Sequence, residues 1–353
     1  MDETLVPSNE YAATLRRKWQ VLLLLSAFLI IIIIGAAKFG TIQVTNHEIM
    51  QGLFAPSVES TNLIILRNVR FPRIGMDVFT GIALAGAGVI MQAILRNPLA
   101  SPFTLGVSSG ASFGAALAIV LGTSLFGIKT ILTSSWLIAT NAFVFGCLSI
   151  LLVYMISSLK NHSGTVLLLA GVAFSYLFSS GLSALKYISK NDVLKDLIVW
   201  LMGSTSGTNW SEIKLIAPVT LIGMLIIMRY SWQLNVLALG EEIARTSGIR
   251  VKQLRLVSLI TVTVISSITI AFTGVIGFVG LVAPHVARMI IGVDHRFLVP
   301  ASCLLGAILL LLSDTLARSL FSPVEIPVGI VTSIIGVPFF IYLLISKKRE
   351  YWN

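Results

Sequence analysis

Charged residues are scarce in this sequence: 11% of its 353 residues are Asp, Glu, Lys or Arg, and mean hydropathy is +0.93. That composition excludes an ordinary water-soluble domain. Cysteine is nearly absent. Cys147 and Cys303 each sit inside an apolar run, where they read as small packing residues and not as a disulfide or metal site. His285, alone near the end of an apolar run, reads as a hydrogen-bonded structural residue, so no metal site is expected.

Acidic residues at membrane depth are also lacking, because Asp77, Asp314 and Glu325 lie near the ends of apolar runs and none lies in the middle. Ion-driven carriers keep ionisable groups at depth, so no ion-coupling chain is expected. A phosphate-binding loop is missing too. Gly122, Gly127, Lys129 and Thr130 approach the G-x-x-x-x-G-K-[ST] pattern, but Ile128 separates the second glycine from the lysine and breaks its register. No catalytic residue is expected, and no cofactor bound by this chain.

Long uncharged runs are what the sequence has in abundance. A helix crosses the hydrocarbon core in about 20 residues, and the runs predict ten spans, over 21–37, 76–95, 104–121, 131–157, 165–185, 215–228, 256–273, 275–291, 297–313 and 326–345. The fold class is an all-α polytopic membrane protein, with a single transmembrane domain over 1–353. The first run follows Arg16, Arg17 and Lys18 but is too long for a signal-peptide core and lacks a clean cleavage pattern, so it reads as an uncleaved span. The polar stretch from Lys186 to Asp196 reads as an interruption, and 197–202 as too short to span.

Ten spans put both termini on one side. Placing them in the cytoplasm collects most of the 25 Lys and Arg there, among them Arg16, Arg17, Lys18, Arg96, Arg245, Arg250, Lys252, Arg288 and Arg296. The net charge of +10 therefore points to membrane flanks and not to nucleic acid. The same placement leaves Arg67, Arg70, Arg73 and Arg318 outside, where exposed cations invite an acidic partner.

Within the cytoplasmic set, residues 237–255 form a charged island carrying Glu241, Glu242, Arg245, Arg250, Lys252 and Arg255. Leu237, Leu239, Ile243 and Ala244 recur there at helical spacing, which predicts one short amphipathic helix ended by Gly248. Small residues between Gly81 and Gly114 predict closely packed helices. Arg96, Asn97, Pro98 and Pro102 predict a cytoplasmic turn, and Gly274, Gly277 and Gly280 predict irregular backbone. Ser175, Ser179 and Ser183 lie at i, i+4, i+8 on one helical face, either lining a pathway or bonded to their own backbone.

Several blocks resemble the FecCD, or vitamin B12 permease, family of type II ABC importer membrane subunits. They are Arg70-Phe-Pro-Arg73, the stretch from Gln92 to Pro102 followed by Leu105-Gly-Val-Ser-Ser-Gly110, Leu167 to Val172, Gly240-Glu-Glu-Ile-Ala244 with Gly248, Phe278 to Arg288, and Glu325-Ile-Pro-Val-Gly329 with Gly336-Val-Pro338. They cover nearly the whole chain in family order.

The resemblance implies ten helices per subunit and a bacterial cytoplasmic-membrane location. It also implies a second permease subunit, identical or paralogous, two cytoplasmic ATPase subunits using ATP and Mg²⁺, and an extracytoplasmic substrate-binding protein. By resemblance, Gly240, Glu241, Glu242, Ala244, Arg245 and Gly248 couple to the ATPase. Arg70, Arg73 and Arg318 would meet acidic residues of the binding protein, with lipid-headgroup or intrasubunit anchoring as the alternative. His162, Ser163, Gly164 and Thr165 fall where family members narrow the pathway on the cytoplasmic side. The expected cargo is a ferric siderophore, with cobalamin or heme as alternatives. The rivals from other classes are an ion-coupled transporter working alone, which needs a buried carboxylate, and a non-transporting scaffold.

Overall fold

The computed structural model describes residues 8–40, 44–55, 60–122, 134–159, 164–320 and 324–345. These residues are helical wherever they are regular, with no strand among them. The chain opens with α1 (Ser8–Lys38), followed by the short helices α2 (Asn46–Phe54) and α3 (Thr61–Ile65). A π-helical turn, Leu66–Arg70, then runs without a break into α4 (Phe71–Leu95). Next come α5 (Val107–Leu121), α6 (Ser134–Ser158), α7 (Gly164–Ile188), α8 (Asn191–Leu201) and α9 (Trp210–Arg229). The remainder is α10 (Ser231–Leu239), α11 (Glu241–Thr246), α12 (Val251–Thr273), α13 (Val279–Ile291), α14 (His295–Ser319) and α15 (Val328–Ile345).

Ten of these helices answer to the ten predicted spans. Seven helical stretches are long and apolar enough to cross a membrane: α1, α3 through α4, α6, α7, α9, α12 and α14. The apolar helices α5, α13 and α15 are shorter. Two of these are short because irregular backbone precedes them inside the protein. The turn after α4 starts with Arg96 in the left-handed region, then buries Ala100, Ser101, Pro102 and Leu105. The turn expected there is present, and it runs from exposed Arg96 and Leu99 into the protein. Carbonyls in the turn are bonded by side chains, Ser149 of α6 donating to Gly106 O at 2.9 Å and Thr104 to Ser101 O at 2.8 Å, as backbone away from water requires.

The polar stretch after α7 is also corrected. Residues from Asn191 to Leu201 form one helix, α8, because its charges lie on one side while Leu197 is buried on the other.

The centre of the bundle is α4, where every residue from Thr80 to Leu95 except Ile82 is buried. It packs on α14, α12, α13 and α9. The small residues make this possible. A Cβ on Gly81 would run into the backbone of Gly306 on α14, and one on Gly88 into Gly280 O on α13. Close backbone approach substitutes for the hydrophobic drive that lipid does not supply between helices.

Candidate functional site

Two polar constellations sit at opposite ends of α4. At its C-terminal end lies the charged island, which takes in the end of α10, all of α11 and the start of α12 and is not the single short helix expected. Gly240 separates α10 from α11 at φ 145°, ψ 150°, a conformation open to glycine and costly for other residues. Gly248, at φ 80°, ends α11, and Ile249 N–H closes onto Ala244 O at 2.9 Å. Nothing within this chain crowds the space where a Cβ on Gly248 would lie, so within the chain this glycine answers to backbone direction.

Burial divides the residues of the island into two groups. Leu237, Ala244, Ile249, Val251 and Leu254 are buried in the main core. Leu239, Glu242, Ile243, Arg245 and Thr246 face outward. Ala244 is thus an anchor of the island in the core of this chain. Glu241 is another: its carboxylate accepts from Arg245 at 2.6 Å and from Arg255 at 2.9 Å. Partial burial would raise the Glu241 pKa, but Arg255 and then Arg245 outweigh it and hold it below the usual carboxylate range. Arg255, expected in water, is buried on α12 and also donates to Ile94 O at 3.3 Å, in the last turn of α4. A continuous polar path therefore links surface helix α11 to the C-terminus of α4.

The base beside it is fixed by Asp294, which precedes α14. Asp294 accepts from Asn235 of α10 at 2.7 Å and lies 3.9 Å from Lys18 of α1. Burial pushes its pKa up, but Arg296 and Asn235 pull it down to about 2.

At the other end of α4 the arginines are not the exposed cations expected. Arg70, Arg73 and Arg318 are 5%, 7% and 6% exposed. Arg73 pairs with Asp314 of α14 and with Glu325 ahead of α15, each at 2.8 Å. Arg318 reaches Ala36 O at 2.8 Å and lies 3.5 Å from Asp314, while Arg70 donates to Ala37 O at 2.7 Å. The intrasubunit alternative describes this geometry: α1, α4, α14 and the start of α15 are pinned together by three guanidiniums. Arg67, half-buried, caps the end of α2 through the carbonyls of Gln51, Gly52 and Ala55.

Asp77 and Asp314 are fully buried here, which position along an apolar run did not reveal. The signal was the i,i+4 spacing of opposite charges, Arg73 to Asp77 and Asp314 to Arg318, which puts each pair on one helix face. The Asp314 carboxylate is committed to arginine and is not an isolated coupling acid.

The serine stripe on α7 divides in the same way. Ser175 is half-buried and donates to Gly171 O at 2.7 Å, whereas Ser183 is exposed and donates to Ser179 O at 2.9 Å. Ser179 and Thr165 are exposed. The structure therefore separates Ser175 from the outward part of the stripe. Ser163 and His162 lie outside the described residues, as do Gly127, Lys129 and Thr130. His285 on α13 bonds Leu281 O through Nδ1 at 2.8 Å, and Arg288 bonds Gln92 Oε1 on α4 at 3.0 Å.

Comparison with known proteins agrees with this architecture. The FecCD transport family profile matches residues 25–346. The chain is 38% identical over 327 residues to the hemin transport system permease protein of Yersinia pestis, covering 91% of this chain and 94% of that protein. It is 35% identical over 335 residues to a Fe(3+)-citrate import system permease protein of Bacillus subtilis, covering 95% and 97%. Among solved structures, an inward-facing metal-chelate type ABC transporter superposes with a TM-score of 0.80 at 34% identity, covering 92% of this chain and 98% of that one.

Proposed function

This chain belongs to the FecCD transport family and is the non-catalytic, multi-pass permease of an ABC importer; from that premise we propose that it carries a ferric siderophore inward by alternating access. A loaded binding protein releases the chelate between two permease subunits, and ATP turnover in the partner subunits changes which side the cavity opens to. This is a two-state element biased by a ligand that binds its states unequally. Both termini and α11 lie in the cytoplasm, as the distribution of Lys and Arg favours.

The observation that carries the reading is the path from α11 to α4. Leu239, Glu242, Ile243 and Arg245 offer the ATPase an apolar and charged contact. Gly240 and Gly248 set the helix at its angle, and Glu241 transmits its movement through Arg255 to Ile94 O. At the far end of α4, Arg73, Arg70 and Arg318 act indirectly, by holding the external surface on which the binding protein sits. Ser179, Ser183 and Thr165 contribute to the pathway from the exposed face of α7, as do the segment at Ser163 and the rim at Ser175.

The ferric-citrate and hemin relatives support an iron chelate as cargo. Mass spectrometry of the ligand retained by the cognate binding protein tests it. A ferric siderophore is the expected mass, and heme or cobalamin would replace it.

A further inference from the structure

Two adjoining cavities of about 580 and 360 Å³ flank the turn between α11 and α12 and share Ile249, Arg250 and Gln253. The larger is lined by Arg245, Arg250 and Lys252, with no acidic side chain among the described residues of its wall. Arg245 is already paired with Glu241. Arg250 and Lys252 are exposed, and among the described residues neither has a carboxylate within ion-pair distance.

The smaller cavity changes character toward the bundle, where Tyr230, Trp232, Leu254 and Val257 form its wall. Trp232 is 58% exposed, and one turn beyond Tyr230 and Val257 the aliphatic side chains of Ile226 on α9 and Ile260 on α12 are exposed as well. The order is two cations without counter-charge among the described residues, then Tyr230 and Trp232, then exposed aliphatic side chains on two packed helices. Tyr and Trp favour the headgroup level, and basic residues just cytoplasmic of it attract anionic lipid.

We propose that this cup binds the phosphodiester headgroup of an anionic phospholipid, with Arg250 and Lys252 on the phosphate and Ile226 and Ile260 against an acyl chain. The assignment to the cytoplasmic leaflet rests on the topology proposed above; the binding itself does not.

Thermal unfolding of the purified full-length permease, with added phosphatidylglycerol, phosphatidylcholine or inorganic phosphate, tests the proposal against R250Q/K252Q. Phosphatidylglycerol is expected to raise the Tm of the wild type, less so at high salt. The double variant is expected to lose that shift down to the phosphatidylcholine level. A full shift in the double variant overturns the proposal, and so does an equal shift from inorganic phosphate, which would mark a free-anion site. Loss of ATPase capture by a double variant that keeps its lipid shift would assign the cup to the coupling surface instead.

If the double variant does not fold, native mass spectrometry of the wild type decides: retention of phosphatidylglycerol over phosphatidylcholine supports the cup, and equal retention refutes it. Labelling Glu242→Cys from either side of sealed vesicles tests the topology separately. External labelling would move the lipid to the other leaflet without affecting the binding result.

Discussion

Single residues set the behaviour of both ends of α4. Removing Arg73 leaves Asp314 buried beside only a more distant guanidinium and leaves Glu325 without this partner. Breaking a buried pair from one side costs about 3–5 kcal/mol, so Arg73→Ala should lower the Tm in detergent substantially. Replacing Arg73 and Asp314 together with apolar residues should recover much of the loss. Unchanged stability with weakened binding-protein affinity would instead restore a direct docking role. Asp294 gives the pH dependence. Its folded pKa lies below that of the unfolded chain, so its contribution is complete above the ordinary carboxylate range and disappears as pH falls toward about 2. Acid titration of Asp294→Asn by circular dichroism should show a weaker pH dependence across that window.

Helices decide how those residues are joined. Gly88 and Gly280 let α4 and α13 touch through their backbones, so Gly88→Val should prevent native packing, seen as loss of a monodisperse peak on size-exclusion chromatography. Gly248→Ala is milder. It places a Cβ in the left-handed region at a cost of about 1–2 kcal/mol, local to the α11–α12 turn, and should slow transport while the bundle stays folded.

At this scale the sequence was legible where an apolar run had charged ends, which is why ten spans and the small-residue packing could be read directly. It was less legible where one glycine turned the chain, as at Gly240, because helical spacing continues through the break. The arginines misled for a related reason. The partners of Arg73, Asp314 and Glu325, lie 241 and 252 positions away, and only the fold brings them together. Burial of the turn at Pro102 and Leu105 was likewise set by α6 and α7, not by local composition.

The whole molecule then reads as a lever. α11 faces the cytoplasm in the proposed topology, α4 crosses the bundle with most of its residues buried, and the Arg73 cluster holds the opposite face. A coupling free energy between two sites is typically 1–3 kcal/mol, so breaking the Glu241–Arg255 contact should reduce coupling on the order of tenfold without unfolding the bundle. The most direct test is uptake per ATP hydrolysed in proteoliposomes holding the complete importer with Glu241→Ala. The expected result is intact assembly and continuing ATP hydrolysis, with uptake per ATP falling on the order of tenfold. Wild-type uptake per ATP in that variant would contradict the proposed route from α11 through Arg255 to α4.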